Sequence, residues 1–176
     1  LKNDTLESYE EIISDLNNIN QKKINSKYFY DKKGSKLFEK ISTLEEYYPT
    51  RIETQIMDDK KHFFKEELPS NASIIEFGSG SNKKIKKLLN SLENPTEYIS
   101  IDISYDFLVI NAKQIAEEFP EINVKAICAD LSQLQGIKKI LKKEKKKIGF
   151  FPGSTIGNFD LVEAKKLLKG FARILG

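Results

Sequence analysis

The stretch Ser73-Ile74-Ile75-Glu76-Phe77-Gly78-Ser79-Gly80-Ser81 restricts the fold of this chain more than any other. Apolar residues run up to Glu76, two glycines follow one residue apart, and a lysine-rich amphipathic segment with Ile85, Leu88, Leu89 and Leu92 begins at once. Strand, glycine turn, helix is the nucleotide-cradling corner of α/β folds. Gly78 and Gly80 permit positive φ and let a ligand approach the backbone, Ser79 rides between them, and the next helix starts with unpaired N–H groups. A glycine used only for turning would give the same local pattern, so the residues beyond the corner must decide.

Two nucleotide chemistries do not fit. A dinucleotide fingerprint ends on a third glycine, and that position holds Lys83. A Walker-type loop needs Gly-Lys-Ser/Thr after four intervening residues, and none occurs. What remains, an acidic strand end before Gly-x-Gly, is similar to the first motif of S-adenosylmethionine-dependent methyltransferases of Rossmann-like fold. That cofactor carries a cationic sulfonium and no phosphate, so Glu76 is tolerable beside the turn.

From Ala72 onward apolar strands alternate with helical periods. The expected elements are 73–77, 84–92, 97–101, 104–119, 123–129, 134–141, 148–151 and 161–175, four strands and four helices of a parallel, helix-covered sheet. Before them, the periodicity of Leu6, Tyr9, Ile12, Ile13 and Leu16 predicts an amphipathic helix over 5–17, with Asp4 or Thr5 as cap. Residues 26–35 read as an ordered loop, Ser35 as the cap of a short helix through Phe38 and Ile41, and Thr50 as the start of a helix over 51–64. The expected organisation is an N-terminal helical cap segment over 1–71, then the first half of a cofactor-binding domain over 72–176.

Strand ends carry the candidate chemistry. Asp102 follows Gly80 at about the roughly 20-residue offset at which a carboxylate accepts from both ribose hydroxyls. Asp130 ends the third strand in the same way and can take an adenine amino group. Each aspartate could instead merely cap the following helix, a reading less natural for Glu76, Asp102 and Asp130 at three successive strand ends. The fourth strand runs into Pro152-Gly153-Ser154-Thr155-Ile156-Gly157-Asn158, where Gly153 allows close approach and Asn158 offers an amide that both donates and accepts. Alternatively Asn158 caps the last helix.

Composition removes several classes. With 39% hydrophobic and 31% charged residues in 176, the chain reads as a soluble globular domain, and no apolar run approaches the roughly 20 residues of a membrane span. No signal-peptide pattern precedes the first helix, and a cytoplasmic setting is expected. One cysteine excludes an internal disulfide, and Cys128 with His62 assembles no zinc site, so no metal is expected. Cys128 is expected to be buried in its strand and His62 to lie on a helix surface. A net charge of +3 and the lysines of 138–147 suggest a solvated face rather than a nucleic-acid patch.

Four motifs in order carry a family resemblance. They are Lys27-Tyr28-Phe29-Tyr30-Asp31 with Gly34-Ser35 and Leu37-Phe38-Glu39, Glu46-Tyr47-Tyr48-Pro49-Thr50-Arg51, Glu76 to Ser81, and Phe151 to Phe159. Together they resemble the histidine-specific Nα-methyltransferases, which trimethylate histidine to hercynine at the start of ergothioneine biosynthesis. The resemblance implies a Rossmann-like class I methyltransferase fold binding S-adenosylmethionine and releasing S-adenosylhomocysteine. By it Tyr30, Gly78, Lys84, Asp102, Asp130 and Leu131 match cofactor-binding positions, with Leu131 where phenylalanine is frequent. Tyr47 and Asn158 match positions that hold the substrate amino acid, so the expected role is orientation of an α-amine, with L-histidine as acceptor; no residue is assigned as base. The resemblance also implies strands and a substrate lobe beyond Gly176, so the chain is expected to be a partial one. Its alternative role is a cofactor-binding or interaction module without turnover. In that topology the fourth strand lies inside the sheet, so stopping at Gly176 leaves the strand at 148–151 with an unpaired edge, through which self-association, or pairing with a missing polypeptide, is expected.

Overall fold

The computed structural model describes residues 2–134, 136–137, 141 and 146–176. Its helices are α1 (Lys2–Leu16), α2 (Lys32–Ile41), α3 (Pro49–Asp59), α4 (Lys61–Glu67), α5 (Asn82–Ser91), α6 (Tyr105–Glu118) and α7 (Leu161–Leu175). The strands are β1 (Ser73–Phe77), β2 (Glu97–Asp102), β3 (Asn123–Cys128) and β4 (Lys147–Phe150), all parallel, in the order β3-β2-β1-β4. Ile75 faces Ile99 and Gly149, and Ile99 faces Lys125. This is the α/β, Rossmann-like arrangement expected, with helices before it.

Side-chain alternation along β1 and β2 supplies both faces of the sheet, which is why these strands are apolar on both sides. Ile75, Phe77, Ile99 and Ile101 pack with Leu134, Ile137 and Leu141 and with Leu167, Phe171 and Ile174 of α7. Phe77 stacks on Phe171 at 3.7 Å. Ile74 and Tyr98 point to the opposite face, against Ile85, Leu88 and Leu89 of α5, Ile115 of α6 and Met57 of α3. A Cβ on Gly149 would come within 2.8 Å of Leu175 Cδ1, so this glycine lets α7 rest directly on β4.

Several local expectations shift. The chain enters α1 at Lys2, so Asp4 and Thr5 lie inside the helix. Residues 26–35 are largely regular: Ser26–Phe29 forms a 3-10 turn, and α2 begins at Lys32, capped by Asp31, which accepts from Gly34 N at 2.7 Å. Asp31 can reach that N–H three residues on, whereas Ser35 already lies within the helix. The helix expected over 51–64 is two, α3 starting on Pro49, which fits a first helical position, and α4 following a break at Lys60. Cys128 is exposed, because β3 is the outer strand and lacks a neighbour on one side among the described residues. His62 is exposed on α4. Half of the helix expected over 134–141 and most of the lysine-rich stretch 138–147 lie outside the described residues.

Strand order fixes where a ligand can sit. The chain leaves β1 toward β2 on one side, while β4 lies on the other, so the connections part above the carboxyl ends of β1 and β4. Open α/β sheets bind their ligands in that crevice.

Candidate active site

A cleft of about 760 Å³ opens at this switch point, within the range of small-molecule sites. The β1 corner forms its floor. Gly78 adopts φ 81°, a left-handed conformation that favours glycine, and a Cβ there would meet only Leu131 Cδ1, at 3.7 Å. Gly78 and Ser79 donate their backbone N–H groups to Ile101 O (2.8 and 3.3 Å), which holds the turn against β2. Asn111 Nδ2 of α6 donates to Gly80 O at 2.6 Å, and Asn82 Nδ2 donates to Asn111 O at 3.1 Å, fixing the other end of the turn.

Three strand-end carboxyls line this one cleft, each in a different environment. Glu76 is 2% exposed and accepts from the Tyr98 hydroxyl, which lies 3.4 Å from Ser79 Oγ. Burial pushes its carboxyl up to about 8, so it holds its proton at neutral pH. Asp102 is lifted to about 6 by burial, against the opposing pull of the Ser104 and Ile103 N–H groups. Its Oδ1 accepts from Ser104 N at 2.8 Å. Asp130 Oδ1 accepts from Ser132 N and Oγ, both at 2.8 Å, while Oδ2 lies 3.6 Å from Lys27 Nζ. Each aspartate thus secures the turn after its strand through Oδ1 and also faces the cleft; Asp102 does not cap α6, whose N-cap position is Ser104, with no side-chain cap bond.

The wall opposite comes from β4 and the N-terminal helices. Gly153 has φ 85°, and its N–H donates to Glu53 of α3, at 2.9 Å to Oε1 and 3.2 Å to Oε2. Lys84 of α5 forms an ion pair with the same carboxylate. Asn158 ends a 3-10 turn over Thr155–Asn158, and its Nδ2 lies 3.5 Å from Tyr30 Oη. It does not cap α7; Asp160 does, in a capping box with Glu163. Donation toward Tyr30 turns the Asn158 carbonyl into the group able to accept from an amine.

Tyr30, Gly78, Ser79, Gly80, Lys84, Asp102, Asp130, Leu131, Gly153 and Asn158 all line this cleft. Tyr47 is one ring removed. It packs edge-to-face on Phe38 at 5.8 Å, and Phe38 packs in turn on Tyr30 at 6.1 Å. Desolvation, then the nearby Tyr30 and Glu53, raises the Tyr47 phenol. Glu53 and Glu11 carry no mark in the sequence, and Lys27 stands there only as part of the first motif. Lys27 Nζ lies 2.6 Å from Glu11, which also accepts from Tyr28 Oη at 2.8 Å, so α1 is tied to the rim beside Asp130. No local pattern marks Glu53, whose partners are Lys84, 31 positions on, and Gly153, 100 positions on.

Residues 8–176 match the model of a family described as histidine-specific methyltransferase, SAM-dependent. The chain belongs to that family. It is 32% identical over 157 residues to a histidine N-alpha-methyltransferase of Mycolicibacterium smegmatis, covering 88% of this chain and 48% of that protein. It is also 32% identical over 151 residues to ergothioneine biosynthesis protein 1 of Neurospora crassa, covering 84% of this chain and 17% of that one. A 4-dimethylallyltryptophan N-methyltransferase of Trichophyton verrucosum is 27% identical over 150 residues, covering 82% of this chain and 44% of its own length. The chain thus spans about half the length of the histidine N-alpha-methyltransferase it matches.

As a member of this SAM-dependent family, the chain has residues that suit that cofactor. Its one anionic group would have Lys84 as a partner, and a nucleoside would have the strand-end carboxylates. A protonated Glu76 adds no net charge to the corner. Among the described residues, no group of three His, Cys, Asp or Glu side chains is arranged to hold a metal ion, and no helix is long and apolar enough to cross a membrane.

Proposed function

We propose that this protein transfers methyl groups from S-adenosylmethionine to the α-amino group of an amino acid, L-histidine first among the candidates. The observation that carries the reading is the convergence of Gly78, Lys84, Asp102 and Asp130 in one cleft at the switch point of a chain of this family. Asp102 would take the ribose hydroxyls, Asp130 with Leu131 the adenine, and Lys84 the methionine carboxylate. When bound, the cofactor supplies an electrophilic methyl group: a neutral amine forms the new N–C bond while the S–C electron pair returns to sulfur. The chain's own contribution is alignment, worth up to about 7–11 kcal/mol in favourable cases. Asn158, held by Tyr30, would accept from the amine, and Tyr47 would support that corner through Phe38. The names of relatives support an amino-acid amine as acceptor; the tryptophan-derived acceptor in one of them makes an indole-bearing amino acid the comparison substrate.

The test combines calorimetry with S-adenosylhomocysteine and a methyl-transfer assay offering L-histidine beside a tryptophan-type amine. Binding is expected to weaken as pH falls through about 6, where Asp102 takes up its proton, and Asp102→Asn is expected to weaken it and to flatten that dependence. Transfer to histidine in preference to the indole amine is expected. Binding without transfer to either amine would favour a cofactor-binding module without turnover; no binding at all would overturn the proposal.

A further inference from the structure

Glu53 joins three parts of the chain at the cleft: α3, α5 and the loop after β4. It projects from the second turn of α3, takes the Gly153 N–H of the loop after β4 on both carboxylate oxygens, and pairs with Lys84 of α5. Lys84 has little freedom of its own. Its side chain is 13% exposed, and a Cβ on Gly153 would lie 3.6 Å from Nζ, so the ammonium lies against the bare backbone of that glycine. An ammonium has three N–H donors; Glu53 takes one direction and leaves the others for the cleft. Thr50, one turn earlier on α3, lines the cleft, and Tyr47 precedes the same helix.

We propose that Glu53 is a positioning residue for the amino-acid end of the cofactor, holding Lys84 and the Gly153 turn in the geometry that receives a carboxylate. The inference rests on the reading of Lys84 under the proposed function and extends it to a residue outside the cleft lining. A lysine left unpaired keeps its rotamer freedom and must lose it when a ligand binds; Glu53 orders it beforehand. Fixing Gly153 by its N–H holds the neighbouring loop, and with it Asn158, in register with α3. Glu53 therefore couples the cofactor side of the cleft to the Tyr47 side.

The discriminating experiment compares two ligands that share the nucleoside and differ in the amino-acid end, S-adenosylhomocysteine and 5′-methylthioadenosine. In the unaltered chain the first is expected to bind more tightly. In Glu53→Ala the ratio of the two affinities is expected to fall by about tenfold or more, the size of one lost charge-assisted contact, with 5′-methylthioadenosine affinity nearly unchanged. Glu53→Asp keeps the charge, shortens the reach by one methylene, and is expected to lower the ratio several-fold; it carries the test if the alanine variant does not fold. A merely structural role would weaken both ligands in proportion, and that result, or an unchanged ratio in either variant, would overturn the inference. Failure of the unaltered chain to bind either ligand would instead remove the proposed function itself.

Discussion

Glu76 is the residue at which the strand pattern and the chemistry of the cleft meet. Its side chain shares a face of the sheet with Tyr98, two positions along the neighbouring strand from Ser100, the residue opposite it, and the Tyr98 hydroxyl donates to its carboxyl. Burial holds that carboxyl at about 8 in the folded chain against 4.5 when solvated. Between those values the folded state binds more protons than the unfolded state, so stability falls as pH rises from about 4.5 through about 8. Glu76→Gln keeps the shape and removes the titration. Thermal unfolding of the two proteins across that interval should show a smaller decline for the glutamine variant; equal slopes would remove the assignment. Tyr98 follows the same logic, its phenol raised by burial and by Glu76.

At the scale of elements, short contacts between backbone segments decide how the N-terminal helices meet the cleft. Gly34 is the sharpest case: a Cβ there would lie 1.7 Å from the carbonyl oxygen of Phe29, so the first turn of α2 sits directly on the 3-10 turn that carries Lys27 and leads to Tyr30. Backbone cannot yield as a flexible side chain does, and Gly34→Ala is expected to cost about 2 kcal/mol or more. Faster amide exchange across 26–41, with β1 and β2 unchanged, would locate the effect; unaltered exchange would refute it. Arg51 works nearby in the opposite sense, donating to Leu44 O and Glu45 O at 2.8 and 2.6 Å and so tying the loop before α3 to that helix. The arginine of the Glu46–Arg51 motif thus serves the loop before α3, while the neighbouring Glu53 reaches the cleft wall.

For the molecule as a whole, the order β3-β2-β1-β4 leaves β4 paired only with β1 among the described residues. An unpaired edge presents a row of N–H and C=O groups to any strand able to join it. We propose that residues 1–176 taken by themselves self-associate through this edge, expected as a concentration-dependent dimer in sedimentation equilibrium, with protection from exchange at Gly149 and Phe150 that grows with concentration. A monomer at all concentrations whose Gly149 and Phe150 amides already exchange slowly would sink that proposal. What the amino-acid sequence determined alone is whatever depends on near neighbours: the strand and helix alternation from Ala72 onward, the glycine corner at Gly78, and the carboxyls that terminate successive strands. Hydrophobic period and chain punctuation record those features within a few residues. Only the tertiary structure decided the rest. Cys128 is exposed because its strand is outermost among the described ones, Tyr47 stands behind Phe38 because the loop before α3 lays its ring on α2, and Glu53 meets Gly153 across 100 positions. Such pairings follow from the order in which strands assemble, and no local pattern in the chain carries that order.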